Sequence, residues 1–155
     1  MEMLNARGRG VFESLNGTVY GNYSSPNAVV LLHGFGTDQA VWHRIFPVLA
    51  CFFKVVVFNL AFNDAELYDR NKYSNYSGYA DDLIGVLDEL DLRNVSYVGH
   101  SMAAMIGCIA AVRRPDYFGQ LILLGGSPRY LNSEGYVGGF EQAEVDAIFD
   151  NISSN

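Results

Sequence analysis

The chain of 155 residues has a net charge of −7, and half of its residues are hydrophobic while 17% are charged. This composition is typical of one folded globular domain and excludes an intrinsically disordered chain. The negative charge argues against nucleic acid or an anionic membrane as the main partner.

The first half of the chain is predicted to begin with a loose leader over residues 1–13, which has no apolar core of the kind that a secretory signal needs. Residues 15–23 alternate weakly and predict a short hairpin around Asn16-Gly17. Residues 28–32 form a continuous apolar run, which predicts a strand buried on both faces. A helix is predicted from residue 38 to about residue 52.

The rest of the chain continues to alternate between the two kinds of element. Strands are predicted over residues 54–60, 95–98 and 120–125, helices over 76–90, 102–112 and 141–152, and a loop over 61–74. Strands that alternate with helices indicate crossover connections. The sequence therefore predicts an α/β fold with a mostly parallel sheet and helices on both of its faces.

The two cysteines, Cys51 and Cys108, lie in apolar stretches and are predicted to be buried thiols without a redox role. Because no secretory signal precedes them, an intracellular, reducing compartment is expected. The sequence has no metal-ligand cluster, phosphate-binding loop or dinucleotide-binding glycine pattern, so we predict neither a metal nor a cofactor.

The segment Gly99-His100-Ser101-Met102-Ala103 carries most of the chemical information. A predicted strand ends before it and a predicted helix begins after it, and this is the context in which a serine becomes a raised nucleophile. A turn this tight needs small residues two positions before and two after the serine, as Gly99 and Ala103 are. The alternative is a serine that only caps the following helix.

A second motif, His33-Gly34-Phe35-Gly36, follows the predicted strand at 28–32. Serine hydrolases with a strand–turn–helix nucleophile place the loop that donates one oxyanion-hole N–H at such a point. We therefore predict the backbone N–H groups of Phe35 and Met102 as the two oxyanion donors. The alternative is an ordinary glycine-rich turn between a strand and a helix.

A general base for Ser101 is not evident in the sequence, because none of the three histidines lies downstream of it. His33 is predicted to organise its loop and His43 to lie on a helix surface. The side chain of His100 is expected to point away from the direction that Ser101 faces. The triad histidine and aspartate are thus predicted to be absent from the chain, which would make the chain catalytically incompetent as given.

Several segments resemble the plant strigolactone and karrikin receptor hydrolases, most closely the DWARF14-like paralogue branch, with the bacterial stress-regulator hydrolase RsbQ as a more distant relative. The resemblance runs from about residue 15 to the end of the chain. Its motifs lie in residues 33–42, 73–76, 79–84, 99–108, 114–116, 127–130 and 138–141.

The resemblance implies an α/β-hydrolase fold, with the core over residues 14–131 and the beginning of a helical cap over residues 132–155. It implies a serine nucleophile, slow hydrolysis of an ester or enol-ether bond, and binding of a small apolar butenolide-type ligand. It also implies an F-box protein and transcriptional repressors as partners, in the cytoplasm and nucleus. The implied ligand-binding residues are Phe35, His100, Tyr130 and Phe140.

The chain also departs from the family in several ways. Family members are longer, and their triad aspartate and histidine lie beyond the last residue here. Asn59 stands where the family usually has aspartate, and the segment Ala61–Asp64 lacks the usual small residues. The strand at 120–125 is expected to lie at an exposed sheet edge. Two alternatives remain: a non-enzymatic short isoform that binds partners or acts as a decoy, and a gene-model fragment.

Overall fold

A computed structural model describes residues 9–153 of the chain. Its five strands form one sheet in the order β1-β3-β2-β4-β5, with β1 at Thr18–Gly21, β2 at Ala28–Leu32, β3 at Lys54–Phe58, β4 at Val95–His100 and β5 at Phe118–Leu124. β1 runs antiparallel to β3, and the other three strand pairs are parallel. The prediction of an α/β fold with a mostly parallel sheet is confirmed.

Five α-helices accompany the sheet in the described range: α1 at Val11–Ser14, α2 at Phe46–Leu49, α3 at Tyr76–Glu89, α4 at Met102–Arg113 and α5 at Gln142–Ser153. The two central helices, α3 and α4, end within a residue of their predicted bounds. Asn75 caps α3, because its side chain accepts a hydrogen bond of 2.8 Å from the N–H of Ser77. None of the described helices is long and apolar enough to span a membrane.

The single helix predicted from residue 38 to about 52 is wrong. The structure has a 3-10 helix at Gln39–Trp42 and then the short α2, which has Pro47 in its first turn. Proline lacks the N–H of a helix interior and disfavours a helical residue before it. The predicted single helix is therefore two short helical pieces, separated by a turn at residues 43–45.

The N-terminal predictions need two further corrections. The predicted hairpin at 15–23 does not form, because the chain turns at Asn16, where φ is 53°, and the single strand β1 then pairs with β3. Part of the predicted leader is ordered, since α1 packs Val11 and Phe12 against the core. Residues 1–8 of that leader lie outside the described residues.

Two hydrophobic clusters cover the two faces of the sheet. The larger lies under α3 and α4 and includes Leu83, Ile106 and Tyr97. The smaller cluster lies on the other face of the sheet, where Trp42 packs against β2 and β3. All five residues of β2 are buried, which explains why its sequence is a continuous apolar run.

The prediction that both cysteines are buried is wrong for Cys51, which is exposed, whereas Cys108 is half-buried. Cys51 lies in the turn after α2, and its thiol contacts the carbonyl oxygen of Pro47 at 3.4 Å. The sequence predicted burial because the neighbours of Cys51 are apolar. The chain has already left α2 at this point, and the turn holds Cys51 at the surface.

A buried carboxylate joins the loop before α3 to the helix itself. Asp82 accepts hydrogen bonds from the Lys72 ammonium at 2.5 Å and from the Tyr73 hydroxyl at 2.9 Å. Burial raises the pKa of Asp82, and the two donors act in the opposite direction. The neighbouring Asp81 pairs with Arg113 of α4 at 2.7 Å. Both carboxylates thus connect elements of the fold.

Gly107 permits α4 to approach the sheet closely. A Cβ at this position would lie 2.2 Å from Cε1 of Tyr97, whose ring is fully buried and whose hydroxyl donates to the carbonyl oxygen of Ala103 at 2.7 Å. The ring cannot retreat without breaking that hydrogen bond. Gly85, in the middle of α3, differs, because its Cβ would make ordinary contact with Val11 at 3.5 Å.

We expect Gly107→Ala to lower the free energy of unfolding by about 1–3 kcal/mol through overpacking. Gly85→Ala serves as the matched control and should raise it by about 0.5–1 kcal/mol, because alanine favours the helix. Urea unfolding followed by circular dichroism measures both. Equal effects of the two substitutions would contradict the assigned contact between α4 and Tyr97.

Candidate active site

Ser101 lies at the junction of β4 and α4 with φ 57° and ψ −121°. This is an unfavourable backbone conformation for a residue with a side chain, and it turns the chain from strand to helix within one residue. The side chain makes no capping hydrogen bond to α4. Its hydroxyl instead lies 3.4 Å from the hydroxyl of Tyr130. The helix-capping alternative is therefore not what the structure contains.

The small residues on either side of Ser101 have a steric reason. A Cβ on Gly99 would lie 2.6 Å from the carbonyl oxygen of Ala103 and 2.8 Å from the N–H nitrogen of Ala104. These are backbone atoms, so they cannot move aside as a flexible side chain would. Ala103 is itself fully buried. The pattern of a small residue two positions before and after the serine thus follows from the tightness of the turn.

The loop after β2 lies directly against this turn. A Cβ on Gly34 would be 3.0 Å from Cβ of Ser101 and 3.0 Å from Nδ1 of His100. Phe35 follows Gly34 in this loop. Met102 is the first residue of α4, where N–H groups have no partner within the helix. The structure therefore brings the two predicted oxyanion donors to adjacent backbone segments beside Ser101.

His33 fixes the base of this loop. It is fully buried, and its Nε2 accepts a hydrogen bond of 3.0 Å from the N–H of Leu60. Because Nε2 is an acceptor, the proton is on Nδ1, which donates to the carbonyl oxygen of Gly34 at 2.9 Å. Burial lowers the pKa of His33, so the ring is held in its neutral form. These contacts agree with the loop-organising role predicted for His33.

Further hydrogen bonds join the same loop to the segment after β3. The Asn59 side-chain oxygen accepts from the N–H of Gln39 at 2.9 Å, and the Asn63 side-chain amide donates to the carbonyl oxygen of Thr37 at 3.0 Å. The Thr37 hydroxyl donates to the carbonyl oxygen of Gly34 at 2.9 Å. The unusual segment that begins at Asn59 is thus integrated into the site.

Phe62 and Tyr76 are site residues that the sequence analysis missed. The Phe62 ring lies 5.8 Å from the His33 ring and 5.5 Å from the Phe35 ring, measured between centroids. Burial raises the pKa of Tyr76, with a smaller contribution from the nearby Tyr130. Phe62 falls in a predicted loop without periodicity, and nothing in its local sequence distinguishes it from a surface residue.

The predicted ligand-binding residues are placed around Ser101 to different degrees. Tyr130 contacts the hydroxyl of Ser101. His100 precedes Ser101 in the sequence, and Phe35 lies in the adjacent loop after Gly34. Phe140 is joined to Tyr130 by a backbone hydrogen bond of 3.0 Å from its N–H to the Tyr130 carbonyl oxygen. The Phe35 ring is 56% exposed, so the site is open to solvent on this side.

No base is positioned on Ser101 within residues 9–153. Both ring nitrogens of His33 are engaged in the loop, and His43 is exposed with Nδ1 2.8 Å from the carbonyl oxygen of Ala40. The Ser101 hydroxyl contacts the hydroxyl of Tyr130 and not a basic side chain. The described residues also contain no group of three histidine, cysteine or acidic side chains that could hold a metal ion.

Comparison with known proteins agrees with this geometry. A family model described as the alpha/beta hydrolase fold matches residues 27–148. A strigolactone esterase of Arabidopsis thaliana is 43% identical over 94% of this chain and 55% of its own length. The karrikin insensitive 2 receptor CA of Petunia hybrida is 44% identical over 85% of this chain and 50% of its own length.

A solved structure of a hydrolase from Oleispira antarctica superimposes with a TM-score of 0.84 and 34% identity. The match covers 94% of this chain and 54% of that one. The chain thus spans about half the length of the curated relatives and of the solved structure that it matches. The predicted resemblance to strigolactone and karrikin receptor hydrolases is confirmed at the level of similarity.

The burial of neutral His33 predicts a loss of stability in acid. Its pKa is lowered in the folded chain, so below about pH 6.5 the unfolded chain binds more protons and is favoured. The free energy of unfolding is not reduced by His33 above that pH, where the ring is neutral in both states. Below it, the free energy of unfolding falls by at most about 1.4 kcal/mol per pH unit. Urea unfolding at pH 7.0 and 5.5 measures it.

His33→Gln removes the titrating group, so this variant should lose less stability between the two pH values than the unmodified chain does. His43→Gln is the matched control at an exposed histidine and should behave like the unmodified chain. If all three proteins lose the same free energy of unfolding, the neutral state assigned to His33 is wrong.

Proposed function

Because the chain belongs to the α/β-hydrolase family, we propose that Ser101 is the nucleophile of a serine esterase site. The N–H groups of Phe35 and Met102 would form its oxyanion hole. The observation that carries the proposal is the close approach of Gly34 to Ser101. A Cβ on Gly34 would lie 3.0 Å from Cβ of Ser101, and Ser101 itself has a positive φ. That approach supports a substrate carbonyl being held between the two backbone segments.

In the proposed step, Oγ of Ser101 attacks the carbonyl carbon of an ester, and the carbonyl oxygen becomes an oxyanion. Two backbone N–H donors stabilise that charge, and one such donor is worth about 2.7–4 kcal/mol in another serine hydrolase. The hydroxyl proton must leave with a base, since a serine hydroxyl is a weak nucleophile at neutral pH. Residues 9–153 supply no positioned base, so we propose that the chain binds the ligand without rapid turnover.

The substrate class proposed is a small apolar ester of the butenolide type. The Tyr130 hydroxyl contacts the serine hydroxyl, and further aromatic side chains lie next to Tyr130 or in the loop beside the serine. An apolar ring with one reactive carbonyl would match such surroundings. The proposal is supported by the similarity to a strigolactone esterase and to a karrikin receptor. The aromatic residues concerned are Phe35, Phe62, Tyr76, Tyr130 and Phe140.

The family resemblance extends the proposal to signalling partners. An F-box protein and transcriptional repressors would bind the ligand-loaded protein in the cytoplasm and nucleus. This part of the proposal rests on similarity to the named relatives and on no contact within the described residues. It applies to a protein that contains the whole hydrolase domain, of which this chain spans about half.

Because no base is positioned on Ser101 among residues 9–153, we expect hydrolysis of a chromogenic butenolide ester to stay near the uncatalysed rate. Ser101→Ala should change the rate by less than about twofold, because a hydroxyl without a base contributes little. Product absorbance measures the rate in both proteins. Rapid turnover that Ser101→Ala abolishes would show that a base is present after all.

The role of Ser101 can be tested without a base by replacing its hydroxyl with a more acidic thiol. In a Cys51→Ser background, we expect Ser101→Cys to be acylated by p-nitrophenyl acetate at least about tenfold faster than Ser24→Cys. The helix N-terminus favours the thiolate at residue 101, whereas Ser24 lies in an exposed turn. Mass spectrometry of the acylated protein measures both rates, and equal rates would contradict the proposed nucleophile.

A further inference from the structure

We infer that Tyr73 and Phe62 are positioning residues for the proposed oxyanion hole, at the two ends of an aromatic strut between α3 and the loop after β2. The aromatic strut consists of the rings of Tyr73, Tyr79 and Phe62, which contact one another in that order. It begins at the buried carboxylate of Asp82 and ends at Phe35. The inference rests on the proposed function, because the N–H of Phe35 is one of the two proposed oxyanion donors.

The aromatic strut is anchored to α3 by a buried polar contact. The Tyr73 hydroxyl donates a hydrogen bond of 2.9 Å to Asp82, and the two residues are only 8% and 6% exposed. Burial raises the pKa of Tyr73, so its hydroxyl keeps the proton and remains a donor. The Lys72 ammonium, which also binds Asp82, lies 5.0 Å from the centre of the Tyr73 ring. Tyr73 is therefore held both by its hydroxyl and by one face of its ring.

The three rings lie within interaction distance along the whole aromatic strut. The ring centroids of Tyr73 and Tyr79 are 4.7 Å apart, and those of Tyr79 and Phe62 are 6.4 Å apart. Aromatic pairs interact at centroid separations of about 4.5–7 Å. Tyr73 and Tyr79 are buried, and Phe62 packs half-buried against the same hydrophobic cluster. In a close-packed environment a shift of one ring is therefore transmitted to the next.

The last ring of the aromatic strut contacts the loop after β2 at two residues. The Phe62 ring lies 5.5 Å from the Phe35 ring, and it meets the buried His33 ring edge to face at 5.8 Å, measured between centroids. His33 in turn donates from Nδ1 to the carbonyl oxygen of Gly34. The aromatic strut thus supports the histidine that organises the loop as well as the aromatic side chain that follows it.

The hydrogen bond to Gly34 determines where the proposed donor points. The carbonyl group of Gly34 and the N–H of Phe35 belong to the same planar peptide group, in which they point in opposite directions. A rotation of that carbonyl would therefore turn the N–H of Phe35 by the same angle. Since an oxyanion donor acts through its fixed direction, a contact that holds the His33 ring also preserves the donor.

A purely structural role for these residues would have a different signature. Loss of a general stabilising contact lowers the protection of every element alike, whereas loss of the aromatic strut should affect the loop more than the sheet. The sheet beside the loop has its own support, because β2 pairs with β3 at five consecutive positions and both strands are buried. The loop and the sheet can therefore be measured separately in one protein.

The experiment measures amide hydrogen exchange by NMR on the full isotope-labelled chain. The N–H groups of Leu60 and Gln39 report on the loop, because they bond to His33 and Asn59 across the site. The amides of β3 report on the stability of the whole fold. The ratio of the loop exchange rate to the β3 exchange rate therefore isolates local opening of the loop.

Tyr73→Phe removes one oxygen and leaves the ring in place. We expect it to raise the exchange ratio at least about threefold, which is the order of effect that one lost hydrogen bond gives. Phe62→Ala removes the ring next to the loop and should raise the ratio at least about tenfold. If both residues act through one aromatic strut, the double variant should exceed Phe62→Ala alone by less than about twofold.

Tyr117→Phe is the matched control. Tyr117 is also fully buried, and its hydroxyl also donates to a carboxylate of α3, that of Asp88. It immediately precedes β5, so it lies at the opposite end of the parallel strands from the loop after β2. Tyr117→Phe should leave the exchange ratio within about twofold of the unmodified chain, even where it lowers the stability of the fold.

The acylation assay connects the aromatic strut to the proposed chemistry. In the protein with Ser101→Cys and Cys51→Ser, Tyr73→Phe should lower the rate constant for acylation by p-nitrophenyl acetate at least about threefold, because the oxyanion donor is less well held. Tyr117→Phe should leave that rate constant unchanged. The control thereby separates a lost position of the donor from a lost hydroxyl elsewhere in the core.

Four results would overturn the inference. These are exchange ratios that neither Tyr73→Phe nor Phe62→Ala raises, effects that simply add in the double variant, an equal rise with Tyr117→Phe, and accelerated acylation of Ser101→Cys that Tyr73→Phe leaves unchanged. Failure of the nucleophile proposal would look different. In that case the exchange ratios would respond as stated, while Ser101→Cys would show no accelerated acylation.

Discussion

The turn from β4 into α4 is the constraint on which the rest of the structure depends. It takes place at one residue with positive φ, and it leaves no space for a side chain at Gly99. α4 must then lie so close to the sheet that Gly107 faces the ring of Tyr97. The position of the serine hydroxyl, the start of α4 and the packing of the larger core thus follow from one local geometry.

The loop after β2 is organised by partners that are distant in sequence. His33 accepts a hydrogen bond from the N–H of Leu60, and the side chain of Asn59 accepts one from the N–H of Gln39. The ring of Phe62 packs against that of Phe35. The loop and the segment after β3 therefore form one unit, and a change in either segment would alter the backbone beside Ser101. Preorganisation of this kind is what an oxyanion hole requires, because donors that must first reorient lose much of their effect.

The sequence predicted the parts of the fold that depend on local pattern. The apolar run of β2, the amphipathic α3 and the small residues around Ser101 each carry their own signal. The parts that depend on tertiary packing were not predictable. Phe62 has no local distinguishing feature, and the single helix predicted from residue 38 to about 52 is two short pieces separated by a turn at residues 43–45. Cys51 was predicted to be buried because its neighbours are apolar, but it lies in an exposed turn after α2.

The backbone conformation of Ser101 has a consequence for any redesign of this chain. A non-glycine residue at positive φ costs on the order of 1–3 kcal/mol, whereas glycine adopts that conformation freely. A procedure that optimises thermostability alone would therefore substitute glycine here and erase the hydroxyl. The strained backbone thus coincides with the residue proposed as the nucleophile, so Ser101 must be held constant in any stabilised variant that is used to test that proposal.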